Sequence, residues 1–275
     1  MAALAATPKA DPGLHKGLSV THRINGVPTL GIPAVVQPYG GYVSPRDFDS
    51  VALPGLRPLH DMKDENVNPG RVGTAVDYLA RLVEGSPAEE AFFISLQGAA
   101  KVGEVDRCRH YLSRIRGTGD ESIEAALCAV GYDAAFRAGG GAFRGVLVEP
   151  NAQTIENVRE MVRRSHGFFA MYGPVVMDGL TFPGGYTDTV SAGDGDFLTA
   201  DTLWDFKVSA KPPTTKHTLQ VLMYWRLGVH STRPEYGGVQ NLGFFNPRLG
   251  MVYTLPVSRI PQSIIDEVER DVIGY

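Results

Sequence analysis

The sequence predicts a mixed α/β (α+β) fold, a central mixed sheet flanked by helices with a helical insert before it. Three observations carry this. Apolar residues recur at helical spacing between Val72 and Gly141; past Phe143 short β-like runs take over; and the chain closes as helix, two strands and helix. A chain of 275 residues can bury a sizeable core, as one large domain or two small ones.

Residues 1–70 are rich in Gly and Pro, with β-like pieces at Leu18 to Ile24 and Pro33 to Pro38. They read as an irregular arm or a small β element packed on the main body. Residues 71–275 form the main domain, with 86–141 as its helical insert. From Val72 to Gly85 the residues Val72, Ala75, Val76, Leu79, Leu82 and Val83 share a helical face, and Gly85 ends the helix. Ser86 is placed to cap the next helix, with Pro87 in its first turn. Glu104 to Gly117 and Asp120 to Gly141 continue the helical run, closed by Gly139 to Gly141.

Phe143 to Pro150 reads as a short strand, and Asn151 caps a long helix reaching Tyr172. Gly173 to Phe182, Thr187 to Leu198 and Ala200 to Ser209 are β-like. A helix over Lys216 to Val229 follows, then strands within Gly238 to Pro247 and Gly250 to Ser258. The final helix has Pro261 near its start and Gly274 near its end. No internal repeat or low-complexity block interrupts this order.

Composition removes several classes. Hydrophobic and charged fractions of 43% and 20% are ordinary for a soluble globular protein. No window of eighteen apolar residues exists, which excludes a helical membrane span. The N-terminal segment lacks a basic region followed by a continuous apolar run, so it does not read as a signal peptide. Cys108 and Cys128, the only cysteines, form no CxxC pair. That points to a reducing, cytoplasmic compartment and argues against a structural zinc or a four-thiolate iron–sulfur cluster.

A net charge of −4 does not advertise a nucleic-acid binder, but its distribution is uneven. Between Asp178 and Phe206 the charged residues are Asp178, Asp188, Asp194, Asp196, Asp201 and Asp205. From Lys207 to Ile260 they are Lys207, Lys211, Lys216, Arg226, Arg233, Arg248 and Arg259, against Glu235 alone. An acidic pocket that loads a cation beside a basic strip that holds a polyanion suits nuclease chemistry.

The chemistry concentrates in GDGDFLTADTLWDFKVS, Gly193 to Ser209, which reads as a β-hairpin with Asp196 in one strand and Asp205 in the other. Asp205 and Lys207 are two residues apart and so point to the same face of a strand. Two carboxylates form a hard-cation site with an ammonium beside it, the arrangement metal-assisted phosphodiester cleavage requires. Gly193 and Gly195 permit a tight or bulged approach near the ion. On the following helix, Gln220 and Tyr224 lie four residues apart on one face, able to hydrogen-bond phosphate, base or water. The apolar company of Leu219, Leu222, Met223 and Trp225, taken alone, marks Tyr224 as a core residue instead.

These residues, in this order and at these intervals, resemble the PD-(D/E)XK nuclease superfamily and within it the RecB-type branch. Its GxxD, (D/E)xK and QxxxY elements match Gly193 to Asp196, Asp205-Phe206-Lys207 and Gln220 to Tyr224. Its upstream GxxxH helix is matched by Gly73 to Asp77, with Asp77 where the family has histidine. The turn Asn246 to Gly250 resembles its closing hairpin. Residues 1–70 and 86–170 have no parallel in it.

The resemblance implies a restriction-endonuclease-like core and a Mg²⁺-dependent (or Mn²⁺-dependent) nuclease. The metal would be held by Asp196 and Asp205, with the Phe206 carbonyl and Asp77 as further candidates, and Lys207 would complete the catalytic set. The substrate would be nucleic acid, most naturally DNA, cut in an exonuclease-like manner in phage replication, recombination and repair, or defence. Gln220 and Tyr224 would position it, with Lys211, Lys216 and Arg226 on its phosphates. Residues 86–141 would shape the substrate path or meet a protein partner or second copy. A catalytically silent nuclease-fold binding module and a hydrolase of small phosphate esters are the competing readings.

Overall fold

The computed structural model describes residues 17–275, and the reading of the N terminus as no signal peptide lies outside them. Eight strands and ten α-helices are present among the described residues. In chain order they begin with β1 (Leu18–Ser19), α1 (Val20–Asn25), β2 (Asp49–Ala52) and α2 (Pro69–Val83). A helical block follows: α3 (Ala88–Ala91), α4 (Phe93–Val102), α5 (Val105–Arg114), α6 (Asp120–Ala129), α7 (Asp133–Ala138) and α8 (Ala152–Tyr172). The rest comprises β3 (Met177–Leu180), β4 (Val190–Ala192), β5 (Gly195–Leu198), β6 (Thr202–Phe206), α9 (Thr215–Val229), β7 (Asn241–Asn246), β8 (Met251–Pro256) and α10 (Gln262–Glu267).

The fold is mixed α/β. Six strands form one sheet in the order β2-β8-β7-β6-β5-β3, while β1 and β4 pair separately. Within the large sheet only β6 and β7 run parallel. A parallel pair needs a crossover, and α9 supplies it, which places α9 across one face of the sheet. Leu198 and Leu203 join Leu219, Leu222 and Tyr224 of α9 in one core cluster. Phe197, Trp204 and Phe245 face the other way and surround Phe168 of α8. Alternation along β5 and β6 therefore sends Asp196 and Asp205 to the α9 face.

The helical block packs α2, α4, α5, α6 and α8 around a core of its own, containing Val72, Leu79, Phe92, Ile123, Leu127 and Met161. Buried Asp133 is satisfied there by Tyr78 and Ser95 hydroxyls at 2.7 and 2.6 Å. Among the described residues no helix is long and apolar enough to cross a membrane.

Several local expectations are overturned. Leu18 to Ile24 is mostly helical: the Ser19 hydroxyl accepts from His22 N at 3.1 Å, and Val20 and Ile24 bury one face. Pro33 to Pro38 forms no strand, its prolines having removed ladder donors at both ends. Phe143 to Pro150 alternates in burial but has no neighbouring strand; the Gly145 and Glu149 carbonyls accept from Arg71 and Asn66 side chains. Ser86 caps nothing, since α3 begins after Pro87 with no side-chain cap. Asn151 does cap α8, accepting from Thr154 N at 2.9 Å. From the arm, β2 pairs with β8 and becomes an edge of the main sheet.

Phe168 is fully buried, stacked 4.3 Å from Phe245 and edge-on to Trp204 at 4.9 Å. Phe168→Ala is expected to cost ~3–5 kcal/mol, read as a lower urea midpoint at unchanged slope.

Candidate active site

Asp196 and Asp205 come together because β5 and β6 are hairpin partners. Phe197 pairs with Trp204 and Leu198 with Leu203, so the register carried one residue further sets Asp196 opposite Asp205. Phe206 N donates to Asp196 Oδ2 at 2.5 Å, fastening that carboxylate to the end of β6. Lys207 follows directly, its own N–H donating to Phe245 O at 2.9 Å and so extending the parallel ladder. Its ammonium lies 3.0 Å from Asp205 Oδ1 and 2.7 Å from Oδ2.

Asp205 is 2% exposed, and its Oδ2 has no aligned hydrogen-bond donor although the ammonium is close. A buried carboxylate oxygen without an aligned donor is costly, so it has capacity for a further cation. Half-buried Asp196 stands beside it. The protein crowding its carboxyl, then the charges of Asp205 and Asp77, push it well above the ordinary carboxylate range, against the pull of Lys207 and Arg81. For Lys207, burial acts downward, but Asp205 and Asp196 outweigh it and hold the ammonium above its usual range. Lys207 is therefore a fixed positive charge rather than a proton acceptor.

Tyr224 is a core residue whose hydroxyl meets Gln220. Its ring is buried and stacks on Phe182 at 5.5 Å, while its hydroxyl accepts from Gln220 Nε2 at 2.8 Å. Burial, then Asp194 and Asp205, raise the phenol well above its ordinary value, so it stays protonated beside the acids. Packing crowds the glycines on either side of Asp194. A Cβ on Gly195 would lie 3.1 Å from Leu180 and 3.4 Å from Tyr224, and one on Gly193 would lie 3.1 Å from Val20 and 3.4 Å from Tyr224.

The upstream helix reaches the site through Gly73, where a Cβ would come within 3.3 Å of Val208, the residue after Lys207. One turn on, Asp77 is taken up by Arg81, whose Nε donates to its Oδ1 at 3.1 Å. The same guanidinium reaches Asp178 of β3 at 3.0 Å. Asp77 is thus near enough to influence Asp196 but engaged by an arginine. Among the described residues no three His, Cys, Asp or Glu side chains converge on one ion position.

The fit to a hard divalent cation accordingly rests on Asp196 and Asp205, whose Oδ2 meets the Lys207 ammonium at 2.7 Å but no aligned donor. Two carboxylates suffice for Mg²⁺, which keeps several of its waters.

The basic strip is less free than its sequence suggests. Arg226 pairs with Glu269 at 2.7 Å and lies over the Trp225 ring, Arg248 pairs with Glu65 at 2.7 Å, and Arg259 with Asp49 at 2.7 Å. Arg226 is therefore committed elsewhere, whereas Lys211 and Lys216 are exposed, the latter donating to Asn25 Oδ1 at 2.8 Å. A cleft of about 600 Å³ lies apart from all these residues, against α8, and its Arg163 is already paired with Glu160.

Sequence reasoning missed Arg81, Asp178 and His217 as members of the site. Half-buried His217 is held below its ordinary value by burial and then by Lys207, and its Nδ1 accepts from Thr214 N at 3.2 Å. That fixes a neutral ring with the proton on Nε2. The available signals were the i, i+4 spacing of Asp77 and Arg81 and the cap position of His217.

A scan against protein-family models and searches of curated proteins and of solved structures returned no match.

Because the Asp196 carboxyl is raised on folding, the folded chain holds a proton that the unfolded chain releases. Metal-free stability is then full below the ordinary carboxylate range and is lost as pH rises through the raised value. Asp196→Asn should flatten that loss and raise the metal-free melting temperature at pH 8 by a few degrees, for a gain of ~1–2 kcal/mol. Thermal melts in chelator from pH 5 to 9 check this, and a parallel decline in both proteins would refute it.

Proposed function

We propose that the protein is a metal-dependent nuclease with a restriction-endonuclease-like core, hydrolysing phosphodiester bonds of nucleic acid, most naturally DNA. The observation that carries this reading is Asp205: buried, with Lys207 on it, one oxygen lacking an aligned donor, and Asp196 fastened alongside. Such a group is costly in an empty fold and is useful where a cation and a phosphate meet.

A Mg²⁺ or Mn²⁺ ion held by Asp196 and Asp205 would supply Lewis-acid charge at the phosphate. Lys207, held protonated by its two acids, donates hydrogen bonds to the attacking water or a phosphate oxygen and stabilises charge developing there. Gln220 stands half-buried at the rim, its amide oriented by Tyr224, and positions the substrate. His217, neutral with its proton on Nε2, is a second donor beside Lys207. Exposed Lys211 and Lys216 meet the phosphate backbone, so binding should weaken steeply with salt, as it would not for a small ester. An intact acid–acid–lysine set favours catalysis over a silent binding module.

The test uses linear single- and double-stranded DNA with Mg²⁺ or Mn²⁺. Asp205→Asn and Lys207→Ala should each lower cleavage by ~100-fold or more while circular dichroism stays unchanged. Full cleavage by purified Asp205→Asn protein would remove the assignment.

A further inference from the structure

We infer that Tyr39 is a substrate-binding residue, its ring a platform on which an unpaired base of the strand entering the site stacks. The inference rests on the nuclease reading and gives the substrate single-stranded character at that point. The arm around Tyr39 carries apolar side chains with opposite fates. Val35 and Tyr42 pack against the core that contains Leu219 and Leu222 of α9, and Val43 is buried in it. Val36, in contrast, is 88% exposed and Tyr39 fully exposed. The exposed ring is held in place by its backbone. Gly41 N donates to Pro38 O at 2.9 Å, closing a turn with Tyr39 at its tip. Gly40 takes a φ of 87° there, a conformation that favours glycine.

The arm is tied to the first turn of α9 on both sides of Tyr39. Gln37 Nε2 donates to Thr215 O at 3.2 Å, and Thr218 Oγ1 donates to Val43 O at 2.6 Å. A Cβ on Gly41 would stand 2.8 Å from the Thr215 side chain, so the contact there is close. That same helix start carries exposed Lys216 and half-buried His217, and exposed Lys211 lies on the loop leading to it. Asn246 fixes the loop, its Nδ2 donating to Ser209 O at 2.8 Å. His217 in turn lies within the field of Lys207 and Asp205. Tyr39 is thus fixed on the helix start that adjoins the candidate site. Single strands are held by this combination, rings taking the bases and amines the phosphates. Bases inside a duplex have no free face, so the ring selects a strand already unpaired or the frayed end of a duplex. A protein partner calls for a wider apolar patch than this turn offers.

The experiment measures binding of fluorescein-labelled oligo(dT) to the full chain by anisotropy, with Ca²⁺ replacing Mg²⁺ so that the strand stays uncut. Tyr39→Ala should weaken binding about tenfold, while Tyr39→Phe and Tyr39→Trp keep it. Circular dichroism should not change, because the exposed ring has no packing to lose. An abasic strand of the same length separates stacking from charge: wild type and Tyr39→Ala should bind it alike. In Tyr39→Trp the new indole should be quenched as oligo(dT) binds, Trp204 and Trp225 being buried. A folded Tyr39→Ala protein that binds oligo(dT) as tightly as wild type overturns the inference, and so does an equal loss on both strands. A wild-type dimer that Tyr39→Ala dissociates assigns the ring to a second copy and also overturns it. If wild type cuts DNA in Mg²⁺ while Tyr39→Ala binds undiminished, only the stacking role falls. A wild type that neither binds oligo(dT) nor cuts DNA removes the nuclease reading as well.

Discussion

Burial of the Asp205 carboxylate under α9 is the constraint around which the sheet and its neighbours are arranged. A buried carboxylate without a partner is costly, and Lys207 supplies a cation two residues along the same strand. For Lys207 to reach back, β6 must stay extended past Asp205. The ladder bond from Lys207 N to Phe245 O keeps it so. That bond belongs to the parallel β6–β7 pair, and a parallel pair demands the α9 crossover that covers Asp205. Local charge pairing and overall topology are thus parts of one solution.

Outside this centre, buried ion pairs hold the less regular parts in place. Glu65, just before α2, receives two bonds from Arg248 in the β7–β8 turn, at 2.7 and 3.0 Å. Arg164 of α8 donates to the Pro247 and Arg248 carbonyls at 2.9 and 2.8 Å. The turn between the last two strands is thereby fixed to both long helices of the block. Removing one member of such a pair would leave a buried charge unanswered, which costs more than the pair contributes when intact. These contacts keep α2, with Gly73 against Val208, in register with the hairpin.

The elements that carry the site were legible because their signals are local. Alternation put Asp205 and Lys207 on one face, hairpin spacing paired Asp196 with Asp205, and helical spacing aligned Gln220 with Tyr224. What was illegible depends on partners distant in sequence. The i, i+4 pair of Asp77 and Arg81 is visible in the chain, but Asp178, ninety-seven residues beyond Arg81, is not. The charges of Arg226, Arg248 and Arg259 looked like a basic strip because Glu269, Glu65 and Asp49 lie outside the window that contains them. Phe143 to Pro150 has the alternation of a strand, yet pairing requires a neighbour that alternation cannot report.

Tyr224 explains why packing and chemistry are hard to separate in this chain. Its ring lies beside Gly193 and Gly195, where a Cβ would stand 3.4 Å from it and 3.1 Å from Val20 or Leu180, and the acids Asp194 and Asp196 alternate with those glycines. A larger residue at Gly193 would press first on Val20, and one at Gly195 on Leu180, both beside the ring whose hydroxyl meets Gln220. Crowding there bears on the cover over Asp205, because Tyr224 belongs to the helix across that face. The GDGD segment and the Gln220–Tyr224 pair therefore act as one packing unit, and its polar rim is where the candidate chemistry lies.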